Sequence, residues 1–185
     1  MISDVVSDAE RRMSKAVEAA QHDYQGIRTG RANPALLDRI MVDYYGTALP
    51  INQVATISVP EPRMLLIAPW DKTAVQQIER AIQKSELGLS PIADGNVVRL
   101  AIPTLTEERR RDFIKLLHKK AEEHRVAVRN VRRDANEDLK HMEKDGKASE
   151  DDVHRGQEQI QKLTDKYTEQ VDHLTKAKED ELLEV

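Results

Sequence analysis

Residues 106–142 read TEERRRDFIKLLHKKAEEHRVAVRNVRRDANEDLKHM. Seam positions return at Phe113, Leu117, Ala121, His124, Val128, Val131, Ala135, Leu139 and Met142, always three or four residues apart. That period places all of them on one stripe of an α-helix. Thr106, Glu107 and Glu108 offer a capping hydroxyl and first-turn acids at one end. Asp145-Gly146-Lys147 breaks the pattern at the other. A helix this long cannot bury its stripe alone, so the chain must supply partners for it.

Two more seams of the same period are present. Residues 3–28 carry Val6, Ala9, Met13, Ala16, Ala20, Tyr24 and Ile27, with Ser3 as the expected cap and Gly30 and Pro34 as stop signals. After the break, Val153, Ile160, Leu163, Tyr167, Val171, Leu174 and Leu182 form the third. Ser149-Glu150-Asp151-Asp152 precedes it and resembles a capping box, with Asp where Glu or Gln is usual. Three matching stripes predict one antiparallel three-helix bundle. The rival arrangement is a dimeric coiled coil with a separate domain, but three seams in one chain can satisfy each other.

Residues 31–103 have a different character. Segments 40–45, 54–59, 64–68 and 97–102 are rich in strand formers, and 73–87 reads as a helix with Val75, Ile78 and Ile82 on one face. All seven prolines fall between 34 and 103. The expected fold class is α+β in two domains. Residues 1–29 and 105–185 make a discontinuous bundle, and residues 30–104 make a small inserted domain. The chain crosses between them twice, at Thr29, Gly30, Arg31, Ala32, Asn33 and Pro34 and again at Pro103, Thr104, Leu105 and Thr106. Paired crossings with Gly and Pro are expected to act as a hinge.

Composition narrows the function. The chain has 185 residues, 34% charged, 39% hydrophobic and 3% aromatic, with no cysteine. A disulfide scaffold, a Cys-ligated zinc site and a thiol nucleophile are excluded. No apolar run approaches the ~20 residues of a membrane span. The acidic start, MISDVVSDAE, reads as neither a secretory signal nor an Arg-rich transit peptide, so a cytoplasmic protein without membrane contact is expected. No G-x-x-x-x-G-K-[ST], H-E-x-x-H or G-x-S-x-G pattern occurs, and His22, His118, His124, His141, His154 and His173 are scattered. The expectation is no catalysis, no metal, no cofactor and no small-molecule substrate.

The net charge of −4 is a cancellation. Residues 31–103 hold seven bases and seven acids; residues 109–133 hold ten bases against three acids; residues 134–185 hold eight against sixteen. Within the basic stretch, Arg125, Arg129 and Arg132 share a narrow helical stripe, with Arg133 at its edge and Asn136 continuing it. The neighbours of Arg125, Arg129 and Arg132 four residues away include no acid. Like charges at that spacing weaken a helix, so the stripe points outward to an anion such as RNA phosphate or an acidic protein. Arginine suits bidentate phosphate contact. The plain alternative is a solvated face with local ion pairs. The six aromatics form no stacking platform, so RNA would be read by backbone and shape.

Four segments, IRTGRANP (27–34), DYYG (43–46), LTEERR (105–110) and VRNVRRDAN (128–136), closely resemble the ribosome recycling factor family. The likeness spans the whole chain in length and order. Leu49 before Pro50 departs from it, since family members commonly carry Thr there. The resemblance implies an L-shaped, tRNA-like outline with a β/α/β second arm. It implies a non-enzymatic translation factor, expected to be monomeric. With elongation factor G and GTP hydrolysis, such a factor splits post-termination 70S ribosomes and frees messenger RNA and deacylated tRNA. It further implies that Arg28, Arg129 and Arg132, with Arg31 and Arg133 secondary, meet large-subunit rRNA near the peptidyl-tRNA site. The inserted domain and hinge would face the GTPase. A proline at Gly30 or Ala32 is then expected to impair splitting more than binding. The alternative function is an RNA- or protein-interaction module without splitting activity.

Overall fold

The long seam forms α3, Glu107–Lys144, a single helix of 38 residues. A computed structural model describes residues 1–184 and divides them into two compact units. The first comprises Met1–Arg28 and Glu107–Glu184, the second Thr29–Thr106.

In the first unit, α1 (Ile2–Gln25) and α4 (Glu150–Leu183) pack with α3 and with each other. Ala9, Met13, Val128, Val131, Ala135, Leu139, Val153, Ile160 and Tyr167 form its core. Polar links mark the register. Arg12 bonds Asp134 at 3.0 Å, and Asp23 accepts from Lys120 at 2.6 Å, so α1 runs antiparallel to α3. Tyr167 donates to Glu10 at 3.0 Å and Tyr24 meets Thr175 at 2.8 Å, so α1 runs parallel to α4.

The ends of the helices differ from expectation in two places. Met1 takes the N-cap position and Ser3 lies inside α1. The Met1 ammonium bonds the Asp4 carboxylate at 2.8 Å, an ion pair in the first turn that replaces a hydroxyl cap. At the other end α1 stops at Gln25 with Gly26 as its cap, well before Gly30. Ser149 does cap α4, its hydroxyl accepting from the Asp152 amide at 3.1 Å. Thr164 and Thr175 are buried in α4 and donate to the Ile160 and Val171 carbonyls. Those bonds remove the cost of burying a hydroxyl.

The second unit holds a hairpin, β1 (Met41–Tyr44) with β2 (Thr47–Pro50), and a four-stranded antiparallel sheet. The sheet contains β3 (Ala55–Glu61), β4 (Met64–Pro69), β5 (Pro91–Asp94) and β6 (Val97–Ala101), ordered β3-β4-β6-β5. Helix α2 (Val75–Lys84) packs on β1 of the hairpin and on β5 and β6 of the sheet. Leu65, Ile67, Val98 and Leu100 are fully buried at alternate positions and meet Val75, Ile78 and Ile82 of α2 in one core. Strands β2 and β5 were not expected. Tyr45 and Gly46, at φ of 51° and 83°, make the two-residue turn that returns β1 into β2.

Two observations overturn the proline test of the hinge. Gly30 has φ +79°, which proline cannot adopt. The Ala32 amide donates to the Pro62 carbonyl at 2.7 Å, a bond proline removes. Either substitution would damage the second unit itself.

Asp71 clasps this unit. Its carboxylate accepts from the Thr73 amide and hydroxyl and from the Tyr44 and Tyr45 hydroxyls. The Thr73 amide, then the Thr73 and Tyr44 hydroxyls, hold its carboxyl at about 2, below the ordinary 3.8. A depressed carboxyl stabilises the fold above its ordinary value and loses that contribution as pH falls toward the folded value. Asp71→Asn should therefore lower the melting temperature at neutral pH, and the gap to the native protein should close between pH 4 and 2. Trp70, the single tryptophan, is the fluorescent reporter. A gap constant across that range would refute the clasp.

Candidate nucleic-acid interface

The arginine stripe occupies the middle of α3 and borders α4. Successive members at i+4 stand about 6 Å apart along the axis. Arg125, Arg129 and Arg132 are half-buried, and Arg133 is exposed. Arg28 is exposed just beyond α1, after the buried Ile27. That position is at the end of the bundle where Asp23 meets Lys120 and His124. Arg31 is exposed and belongs to the second unit, as do Thr29, Gly30, Ala32, Asn33, Pro34, Pro103, Thr104, Leu105 and Thr106.

The expectation that the stripe lacks intramolecular partners is wrong for Arg125 and Arg129. Arg125 donates through Nε to Glu122 at 3.1 Å and through a terminal nitrogen to Asp172 of α4 at 2.9 Å. Arg129 donates to the other Glu122 oxygen at 2.6 Å. The partners lie three and seven residues back on α3 and across on α4, where a search at four-residue spacing finds none. Arg129 and then Arg125 hold the Glu122 carboxyl below its ordinary range. Burial opposes the Arg125 charge, and Asp172 and Glu122 outweigh it.

Arg132 is held only loosely, 3.4 Å from the Gln161 carboxamide oxygen, whose own amide turns to Asp165. Arg133 has no polar partner among the described residues. Asn136 does not simply continue an open face, because its carboxamide oxygen is buried without a partner among the described residues. The stripe thus divides into a neutralised part, Arg125 and Arg129, and an available part, Arg132 and Arg133. Available guanidiniums on α3 can grip phosphates.

Other chemistry has little support here. His124 is a seam residue, bonded to Asp23 at 2.9 Å with its ring edge-on to Tyr24. Among the described residues no group of three His, Asp or Glu could hold a metal ion, and no helix is long and apolar enough to cross a membrane.

Comparisons with known proteins converge. The family model described as ribosome recycling factor matches residues 20–183. The chain is 60% identical to the ribosome-recycling factor of Halalkalibacterium halodurans and 56% identical to that of Carboxydothermus hydrogenoformans, each over the full length of both chains. It is similar to a solution structure of the ribosome recycling factor, with TM-score 0.75 and 48% identity, covering 100% of this chain and 98% of that one. It is also similar to the Thermus thermophilus ribosome recycling factor, from models of that factor and Escherichia coli elongation factor G bound to the post-termination complex. There the TM-score is 0.65 and the identity 43%, with both chains fully covered.

Proposed function

We infer function from one premise: this chain belongs to the ribosome recycling factor family. It is a translation factor that, with elongation factor G, recycles ribosomes after termination of protein synthesis. The observation that carries this reading is full-length identity of 60% to a named recycling factor, together with the likeness to a factor set on the post-termination complex with elongation factor G.

The finer mechanism is our reading of the residues. Arg129, Arg132 and Arg133, with Arg28, anchor the bundle to large-subunit rRNA phosphates near the peptidyl-tRNA site. Arg31 adds a contact from the second unit. Arg125 sits in the same row but mainly ties α3 to α4, given its two carboxylate partners. The long helices make a stiff lever. The two crossings, 29–34 and 103–106, serve as the hinge, and the second unit meets the GTPase. The chain carries no phosphate-binding loop, so GTP hydrolysis by elongation factor G supplies the energy for splitting. We read the protein as a non-enzymatic, monomeric factor of the cytoplasm that needs no cofactor.

Light scattering of post-termination ribosomes tests this directly. Scattering should fall as subunits separate when the protein, elongation factor G and GTP are all present. It should hold steady when any one is omitted. Ribosomes that stay whole with the cognate GTPase would overturn the reading and favour a binding module without splitting activity.

A further inference from the structure

Resting on the reading of the α3 stripe as the RNA-facing surface, we propose that Glu122 is a specificity-determining residue of that surface. Its carboxylate occupies Arg125 and Arg129 in the free protein and yields Arg129 only to a phosphate held in place by Arg132 and Arg133.

The geometry separates Glu122 from the other acids of the basic stretch. Among the described residues it is the one carboxylate bonded to two stripe arginines, with one oxygen on Arg125 at 3.1 Å and the other on Arg129 at 2.6 Å. Its side chain is 54% exposed, so the pair can open to solvent. Its neighbour Glu123 is exposed and has no polar partner among the described residues. Asp112, the third acid, has no arginine of the stripe within bonding distance among the described residues.

The chemistry follows from competition. Arg125, Arg129 and Arg133 stand at successive four-residue steps and repel one another. A carboxylate between the first two relieves that repulsion while no RNA is bound. A polyanion that meets the stripe must displace Glu122 from Arg129 and tolerate its charge nearby. RNA of arbitrary geometry gains little in return. A backbone whose phosphates already rest on Arg132 and Arg133 offers Arg129 a replacement partner, and the exchange costs almost nothing. Arg125 does not join it, because Asp172 still holds its other nitrogen at 2.9 Å. Glu122 therefore weakens wrong RNA more than right RNA, which is how repulsive elements create selectivity.

The test compares Glu122→Gln with Glu123→Gln, which changes net charge equally. Each is measured against vacant 70S ribosomes and against a short RNA duplex of random sequence, over a range of salt. Glu122→Gln should tighten duplex binding about two- to fivefold, the worth of an exposed ion pair. It should steepen the logarithmic salt dependence for duplex by about 0.7–0.9, one further phosphate contact. Ribosome affinity should change by much less, so discrimination falls. Duplex binding unchanged by Glu122→Gln would overturn the proposal, as would an equal gain from Glu123→Gln, which would be a net-charge effect. Failure of the underlying reading is read separately: it is an Arg132→Ala variant with undiminished ribosome affinity.

Discussion

Arg132→Ala should weaken binding to vacant 70S ribosomes by about 1.5–3 kcal/mol, roughly 10- to 150-fold, while the bundle melts as before. The size is that of one charge-assisted hydrogen bond to phosphate. The intact fold follows from the surroundings of Arg132. Its only polar partner among the described residues is the Gln161 oxygen at 3.4 Å, too far to contribute much, so truncation leaves no buried charge unpaired. Arg125→Ala is a poorer probe, since it strips Asp172 of its partner, takes one of two from Glu122, and loosens α3 from α4. The loss with Arg132→Ala should shrink as salt rises, because one fewer counterion is released. Undiminished affinity at low salt would remove Arg132 from the interface.

The bundle was legible because each long helix repeats its instruction many times. Leu117, Ala121, Val128, Val131, Ala135 and Leu139 all lie where a three-four period puts them. The errors fall where a signal occurs once. Gly26 ends α1, and nothing in a single glycine ranks it above Gly30 four residues later. Strands β2 and β5 are four residues each and include prolines. Thr47–Pro50 reads as loop unless Tyr45-Gly46 is recognised as a left-handed turn, and a tyrosine at positive φ is not a residue one expects there.

The site was legible in identity and misread in electrostatics. Arginine at 125, 129 and 132 is visible on any helical projection. The state of those charges depends on Glu122 at three and seven residues back, within reach of long side chains along the same face. It depends equally on Asp172, which comes near Arg125 only once α3 and α4 are in register. That register is set by buried residues such as Ile160 and Tyr167, and their spacing does not state which turn of α3 each one meets. Inter-helix pairs are therefore invisible in one chain's sequence, whereas the stripe itself is not.

Leu139→Ala should destabilise the bundle by about 2–5 kcal/mol, the usual cost of emptying a fully buried leucine site. Leu139 has no solvent exposure and lies where all three helices meet. Gly156 of α4 is its close neighbour: a methyl group there would stand 3.1 Å from a Leu139 methyl and 3.1 Å from Ile2. Glycine thus sits at a close approach, at a cost in helix propensity of about 0.8–1.0 kcal/mol relative to alanine. In the native background, Gly156→Ala recovers that propensity and crowds Leu139 and Ile2, so the two effects offset. With Leu139→Ala the crowding is relieved on one side, and the added methyl fills part of the new cavity. Gly156→Ala should then stabilise the Leu139→Ala protein by about 1 kcal/mol or more, a coupling well beyond the ~0.3–0.5 kcal/mol scatter of independent sites. Denaturant unfolding of the four proteins, followed by helical circular dichroism, measures the cycle. Additive effects would mean that the α3–α4 contact at this point is looser than 3.1 Å. In that case the stiffness assigned to the bundle as a lever would lose its packing basis at the end where α1, α3 and α4 converge.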